Sequence, residues 1–334
     1  MLCRVAEDLF WMSRDVERAI STGRIIDVMM YLELDAGPEQ EAASSFLDAL
    51  MPGYRDGLDT QSDPSSLQRY LALEQDNPNS LVACLRRART NARGVRDTIS
   101  SEMWEQINRL YLSLSTPGFN DTPDDNPQSF FVSIREGLHF FQGIVDSTLA
   151  RDEPWLFITL GKYLERADAI TRIVAAQAPF LLGEEGTDDA AVRWLAILRS
   201  CGSAEAYARH YAVRVEPARV LEFMLLNPSF PQSVRFCIAS AHEALTTLSG
   251  TSLSGERAPR PVRTLGLLRA QLEHTAVDEI LEDGLPSFLR EIQAEIAAAT
   301  NQIAQTYFQE GLAVASEPAA TRAAVIMAAH QQQQ

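Results

Sequence analysis

Residues 9–27 read LFWMSRDVERAISTGRIID, and this stretch decides the fold because its apolar side chains follow the period of an α-helix. Apolar or small residues recur at alternating steps of three and four, at Leu2, Val5, Leu9, Met12, Val16, Ala19, Gly23 and Ile26. A seven-residue repeat of this kind places them along one side of a helix as a narrow apolar seam. We therefore predict one long helix that packs against other helices through this seam.

Four charged residues accompany the seam: Arg14, Glu17, Arg18 and Arg24. At about 100° per residue, Arg14, Glu17 and Arg24 lie on one flank of the seam and Arg18 lies on the other. Because Arg14 and Glu17 are three residues apart, they are close enough to bridge within the helix. Arg24 is two turns from Glu17, so these two residues would meet only through a third group, on another helix or on a ligand.

The same charge pattern occurs again later in the chain. At an offset of 148 residues, Glu17 coincides with Glu165, Arg18 with Arg166, Arg14 with Lys162, and Arg24 with Arg172. The segment PNSLVAC from Pro78 also matches PQSVRFC from Pro231, now at an offset of 153 residues. We therefore predict an all-α duplicated helical bundle, with residues 1–150 as the first half, 151–312 as the second half packed against it, and 313–334 as a flexible tail.

Helical spacing of apolar residues extends through most of the chain. It covers residues 2–33, 80–114, 127–149, 154–180, 231–248, 261–282 and 286–311. No long stretch alternates as a half-buried strand does, and clusters rich in glycine and proline near Gly37, Gly53, Thr116, Leu181 and Ser249 predict loops.

Charge and composition exclude several classes of function. The net charge of −16 argues against a nucleic acid partner, since such proteins neutralise phosphates with basic surface. No run of about 18 apolar residues predicts a membrane span, and the N-terminus lacks the apolar core of a signal peptide, so we expect a cytoplasmic protein without a membrane partner. The four cysteines form no Cys-x-x-Cys pair, which indicates buried thiols in a reducing compartment.

The repeated Glu-Arg pairs have two interpretations. They are either interhelical salt bridges that join two layers of a bundle, or the lining of an inward-facing polar groove. In the second case Glu17 and Glu165 are candidate catalytic carboxylates. The candidate binding residues are then Arg14, Arg18, Arg24, Arg166 and Arg172, of which we predict that Arg24 and Arg172 turn towards the bundle.

A second basic feature, the arginine ridge, steps by three, four and three residues at Arg86, Arg89, Arg93 and Arg96. A solvated helix face balanced by nearby acids explains such a ridge. It is alternatively a docking surface for an acidic partner or a phosphate-bearing ligand. The equivalent positions of the second half are not basic, so the ridge belongs to the first half alone.

The sequence predicts neither a metal site nor a cofactor site. Glu136 and His139 have the Glu-x-x-His spacing of a di-iron bundle, but such a site needs a second copy, which residues 290–299 do not supply. There is no glycine-rich phosphate loop and no nucleophile motif.

Four ordered segments carry a resemblance to a known family. They are MLCRVAEDLFWMSRDVERAISTGRIIDV, LGKYLERADAITRI, FMLLNPSFPQSVRFCI and RTLGLLRAQLEHTAVDEIL. Over about residues 1–310 the chain resembles the bacterial alpha-E family, helical proteins named for a conserved Glu-Arg motif. It departs from the family pattern at Cys3, Ser13 and Asp15, where serine, glycine and an apolar residue are usual.

The resemblance also implies partners. Members of this family are typically encoded beside, or fused to, a circularly permuted ATP-grasp protein and a transglutaminase-like protein. The chain would then be a partner or co-catalytic subunit of an ATP-dependent amide ligase system, with the ATP site in the partner. Two alternatives stay open: an enzyme acting on a peptide or amino-acid amide with Glu17 or Glu165 as acid or base, and a structural scaffold. A homo-oligomer is compatible with each of them.

Overall fold

The computed structural model describes residues 1–34, 64–115, 127–181, 188–211, 215–250 and 258–308. These residues form helices joined by turns, and no β-strand occurs among them, which confirms the predicted all-α class. The first five helices are α1 (Cys3–Leu34), α2 (Pro64–Leu73), α3 (Leu81–Gly94), α4 (Ser101–Ser115) and α5 (Pro127–Thr148). The remaining ones are α6 (Glu153–Leu181), α7 (Asp188–Ser200), α8 (Ala204–Tyr211), α9 (Pro217–Leu221), α10 (Val234–Ser249), α11 (Arg260–His274), α12 (Val277–Asp283) and α13 (Leu285–Ile303). Two π-helical turns, Glu222–Leu226 and Ala304–Phe308, follow α9 and α13.

The two longest helices, α1 and α6, pack against each other at the centre of the molecule. Gly161 of α6 permits a close approach, because a Cβ atom at this position would lie 2.4 Å from the backbone oxygen of Phe10. The apolar seam predicted for α1 is confirmed in its central turns, and the positions of α6 that coincide with it in the repeat form a second buried seam. Leu9, Met12, Val16, Ala19 and Ile26 are buried in α1, and Leu160, Leu164, Ala167, Thr171 and Val174 are buried in α6.

Each helix of the central pair forms a group of four with three other helices. In the first group α1 contacts α3 and α5, while α4 contacts the same two helices. In the second group α6 contacts α10 and α13, while α11 contacts the same two helices. Each group is therefore a closed ring of four helices, and α1 and α6 are the members that bring the two rings together.

Two long predicted helices are each interrupted by a turn. Residues 80–114 form α3 and α4 instead of one helix, because Ser100 starts a new helix by accepting a hydrogen bond from the backbone N–H of Met103 at 3.2 Å. Residues 261–282 likewise form α11 and α12. In both cases the apolar period continues across a turn, so periodicity alone does not reveal the break.

Some predictions fall outside the described residues. These are the loops near Gly37, Gly53 and Thr116, most of the segment after Leu181, and the tail 313–334. The division of the chain into residues 1–150 and 151–312 stays a prediction.

Candidate functional site

The two Glu-Arg pairs face each other where α1 and α6 pack together, and each glutamate binds the arginine of the other pair. Arg166 donates from Nε to Glu17 Oε1 at 2.6 Å and from Nη2 to Oε2 at 2.9 Å. Arg18 donates from Nε to Glu165 Oε1, also at 2.6 Å. The two pairs are thus exchanged reciprocally between the helices, and they join α1 to α6 through charge-assisted hydrogen bonds.

Two more side chains complete the coordination of the glutamates. Arg14 donates from Nε to the second oxygen of Glu165 at 2.6 Å, and Gln142 of α5 donates to Glu17 Oε2 at 2.7 Å. Glu17 is 1% exposed and Glu165 is 4% exposed. Both carboxylates are therefore enclosed, with each oxygen atom already engaged. The prediction that these glutamates accept hydrogen bonds from arginine is confirmed.

Electrostatics in this cluster favour the ionised carboxylates. Burial by itself would raise the pKa of Glu17, but Arg166, together with Arg24 and Lys162, outweighs it and lowers that pKa from 4.5. For Glu165, the effect of burial is outweighed by Arg14 and Arg18, and its pKa is also lowered from 4.5. A general base has to reach its substrate, and it works best with a pKa near the operating pH. Neither glutamate meets these conditions.

The predicted bridge between Arg14 and Glu17 within α1 is wrong. Arg14 binds Glu165 instead, and it also donates to Thr300 of α13 at 3.2 Å. Arg18, which lies on the other flank of the seam, also binds Glu165. The reason is that α6 packs closely on α1 and contacts both flanks of its seam, so that a partner across the interface lies nearer than one along the helix.

Lys162 occupies the place in α6 that Arg14 occupies in α1. Its ammonium group attracts Glu17 and helps to lower the pKa of that residue. Burial lowers the pKa of Lys162, and the neighbouring Arg166 lowers it further. Within the described residues, Lys162 contributes charge to the cluster without the short hydrogen bond that Arg14 forms.

Sequence reasoning missed a further ion pair next to the cluster. Asp15 is buried and accepts hydrogen bonds on Oδ1 from Arg87 Nε at 2.9 Å and Nη2 at 2.6 Å. Burial raises the pKa of Asp15 above its usual value despite this partner. An acidic residue beside an apolar seam is the indication of this ion pair in the sequence. Its partner, Arg87, lies 72 positions away along the chain, so the pairing is not evident from local spacing.

Arg24 and Arg172, which coincide in the sequence repeat, have different surroundings. Arg24 is largely buried, and its Nη1 lies 3.4 Å from the backbone oxygen of Cys201. The side chain of Arg172 is 64% exposed and pairs with Asp168 on its own helix at 2.7 Å. The prediction of an inward side chain is therefore confirmed for Arg24 and wrong for Arg172, because Arg172 has an acidic neighbour one turn before it.

A cleft of about 530 Å³, here called the Arg24 cleft, opens beside Arg24. Its charged or titratable lining consists of Arg24, Asp27, Arg135, His139, Arg199 and Glu205. Arg135 forms an ion pair with Asp27, which sequence reasoning also missed. Burial lowers the pKa of His139, and Arg24 lowers it further.

The arginine ridge is divided in the structure between packed and solvent-facing side chains. Arg89 donates to Asn108 at 2.7 Å and covers the ring of Tyr111, with its Cζ 4.9 Å from the ring centroid. Arg96 covers the ring of Trp104, also at 4.9 Å. Arg89 thus joins α3 to α4 by a cation–π contact, and Arg96, in the turn that follows α3, makes a second such contact with α4. Arg86, Arg93 and Arg96 are all exposed. Because Arg96 lies over Trp104, Arg86 and Arg93 are the ridge residues most available to a partner.

The described part of the chain contains neither a cluster of metal ligands nor a helix that could span a membrane. Within it, no three His, Cys, Asp or Glu side chains come together in a way that could hold a metal ion. Glu136 and His139, considered as metal ligands on their spacing, are both exposed on α5. No described helix has the length and apolar character needed to cross a membrane.

The sequence of this chain is similar to known proteins. A family model named Alpha-E, described as a predicted alpha-helical domain with a conserved ER motif, matches residues 1–308. Uncharacterized proteins of Mycobacterium bovis and of two strains of Mycobacterium tuberculosis are each 25% identical over 343 aligned positions, which cover 93% of this chain. The chain spans 37% of the length of these relatives. No solved structure matches it.

Proposed function

This chain belongs to the Alpha-E family, and we propose that it acts as a helical partner subunit of an ATP-grasp amide ligase system, in which the partner supplies the ATP site. The observation that carries this proposal is the enclosure of Glu17 and Glu165 by arginines. Because the Glu-Arg motif joins α1 to α6, we assign recognition of the partner to the outer surface of the bundle.

The alternative of a stand-alone enzyme with Glu17 or Glu165 as acid or base has less support. For either glutamate to accept a proton from a substrate, an arginine would first have to leave it. Removing one partner from a buried ion pair costs on the order of 3–5 kcal/mol, because the other charge is left uncompensated. A scaffold role agrees with the buried pairs, but it does not account for an open cleft lined by arginines.

Support for the partner comes from the family pattern and from surface charge. The resemblance implies a neighbouring circularly permuted ATP-grasp protein and a transglutaminase-like protein. Two exposed members of the arginine ridge, Arg86 and Arg93, give a local positive surface on a chain with a net charge of −16. A concentrated positive patch on an acidic protein favours an acidic partner surface and speeds its association.

We also propose that the bundle arose by duplication. The reciprocal exchange of the Glu-Arg pairs and the two matching rings of helices support it. A third observation is local. Ser80 and Ser233 cap α3 and α10 through their side chains, and Cys84 and Cys237 each lie near the backbone oxygen of a proline six residues before them.

Co-expression with the two proposed partners tests the function. A tagged form of this chain should retain the ATP-grasp protein through affinity and size-exclusion chromatography. The isolated chain should neither bind nor hydrolyse ATP in equilibrium binding and phosphate-release assays. Absence of a complex with either protein, or ATP turnover by the isolated chain, would contradict the proposal.

Charge reversal tests the arginine ridge as the contact surface. The double variant Arg86→Glu/Arg93→Glu should weaken the complex while the thermal midpoint stays nearly unchanged, because both side chains are exposed. The matched control is Arg172→Glu/Arg290→Glu, which makes the same change in net charge at exposed positions of α6 and α13. Equal weakening by both variants would indicate a general charge effect and would remove the ridge as the interface.

A further inference from the structure

The lining of the Arg24 cleft contains neither the paired glutamates nor the arginine ridge that serves as the contact surface proposed above. Four helices contribute its charged lining: α1 supplies Arg24 and Asp27, α5 supplies Arg135 and His139, α7 supplies Arg199 and α8 supplies Glu205. We propose that this cleft binds a small molecule through an oxyanion group, a carboxylate or a phosphate, held by the guanidinium of Arg24.

The position of Arg24 is fixed by the turn after α7. Gly202 in this turn has φ +64°, and a Cβ atom there would lie 3.0 Å from Cζ of Arg24. A glycine at this position therefore allows the backbone to approach the guanidinium closely and to offer it the oxygen of Cys201. These contacts with Cys201 and Gly202 hold the Arg24 side chain at the wall of the cleft.

Arg24 is poorly supplied with partners among the described residues. An arginine has five N–H donors, and the contact with Cys201 at 3.4 Å uses one of them at the long end of the hydrogen-bond range. Asp27, the acidic residue nearest to it in α1, is paired with Arg135. No described carboxylate forms an ion pair with Arg24, and Glu17 attracts it only over a longer distance.

The charge of the cleft favours an anion. Three arginines and two carboxylates line it, so it carries one positive charge in excess, whereas the whole chain has a net charge of −16. Burial lowers the pKa of Arg24, and Glu17 only partly offsets this effect. Because a guanidinium does not lose its proton in a protein, the cost of its burial persists until an anion compensates it.

The dimensions of the cleft fit a small molecule. Its volume of about 530 Å³ lies within the range of ligand pockets, which is roughly 300–1,000 Å³. The planar fork of a guanidinium matches carboxylate and phosphate oxygens equally, so the geometry specifies an oxyanion without separating these two chemistries.

Isothermal titration calorimetry with two probes tests the proposal and separates its two chemistries. The probes are the dipeptide glutamyl-glutamate, for carboxylates, and inorganic phosphate. We expect one of them to bind the full chain, and Arg24→Gln to weaken its binding at least about tenfold, since hydrogen bonds to charged groups are the strong ones. Tighter binding of the dipeptide assigns the site to carboxylates, and tighter binding of phosphate assigns it to phosphates.

Arg172→Gln is the matched control, because Arg172 coincides with Arg24 in the repeat but is exposed and lies outside the cleft. It should leave the dissociation constant unchanged. Circular dichroism checks that both variants fold. In NMR spectra, the ring signals of His139 in the cleft should shift when the probe is added, whereas those of His274, which lies outside the cleft, should not. Failure of both probes to bind, or equal binding by wild type and Arg24→Gln, would overturn the proposal.

Discussion

The helices α1 and α6 have the same charge pattern, but they resemble each other only where they face each other. At their contact, Glu17 binds Arg166 and Glu165 binds Arg18, so all four charged groups form ion pairs within the interface. Farther along each helix the likeness ends. Arg24 is buried at the wall of a cleft, whereas the side chain of Arg172 is 64% exposed.

One residue on each helix explains this difference. Arg172 has Asp168 four residues before it, and the two form an ion pair along the helix at 2.7 Å. The position of α1 that coincides with Asp168 is Ile20, which is 1% exposed and belongs to the core. Without an acid four residues before it, and with Asp27 paired to Arg135, Arg24 turns towards the backbone of Cys201. Equivalent residues thus acquire different roles when the neighbours that neutralise them differ.

The largest expected effect comes from breaking the matched part of the comparison. Glu17→Ala leaves the Arg166 guanidinium buried without its carboxylate, and it should cost on the order of 3–5 kcal/mol of unfolding free energy. Glu165→Ala should cost at least as much, because it leaves both Arg14 and Arg18 without their partner. Urea unfolding followed by circular dichroism measures both values.

Glu136→Ala is the control for these two variants, because Glu136 is exposed on α5. A surface change of this kind should stay within about 0.5 kcal/mol. If Glu17→Ala were equally mild, the buried pairs would not hold α1 and α6 together.

A double-mutant cycle sharpens the reciprocity of the pairs. Glu17 and Arg166 should show a coupling energy of about 0.5–3 kcal/mol, the range found for residues in one ion-pair network. The coupling between Glu17 and Arg14 should be smaller, because Arg14 binds Glu165. The measurements are unfolding free energies of the single and double alanine variants. A larger coupling energy for Glu17 with Arg14 than with Arg166 would indicate that Glu17 and Arg14 bridge within α1, as their spacing in the sequence suggests.

Lowering the pH should weaken the contact between α1 and α6. The pKa values of Glu17 and Glu165 are lowered from 4.5 in the folded protein, so each carboxylate stabilises the fold above about pH 4.5, and this stability is lost as the pH falls through the lower folded value. Glu17→Gln removes one titrating group and should flatten the slope of unfolding free energy against pH by up to about 1.4 kcal/mol per pH unit. Urea unfolding between pH 3 and pH 7 provides the slopes. Identical slopes for wild type and variant would show that Glu17 titrates alike in both states.

The smallest effect concerns the part of the two helices that differs. Arg24→Met replaces a largely buried charge, poorly partnered among the described residues, by an apolar side chain, and its unfolding free energy should lie between no change and a gain of about 1 kcal/mol. Arg172→Met removes an exposed ion pair within one helix and should cost about 0.3–0.5 kcal/mol. Thermal and urea unfolding compare the two variants. A loss above about 1 kcal/mol for Arg24→Met would make Arg24 a structural residue of the bundle.

Sequence reasoning reached most of the fold and the members of the site, but not their connections. The three- and four-residue steps in α1 correctly indicate a buried helix, since burial of one helix face requires that spacing. The division of residues 80–114 into two helices was missed, because the apolar period continues across the turn that Ser100 closes. The partners of Arg14 and Asp15 were missed because they lie 151 and 72 positions away.

The sequence by itself determined that this protein is helical, that its two Glu-Arg pairs coincide in a repeat, and that Glu17 and Glu165 bind arginines. These conclusions depend on local periodicity and on the need of a buried charge for an opposite charge. Only the tertiary structure decided which arginine each glutamate binds, that Arg24 lines a cleft and that Arg172 faces solvent. The physical reason is that a charged side chain takes the partner nearest in space, and the close packing of α1 on α6 sets those distances.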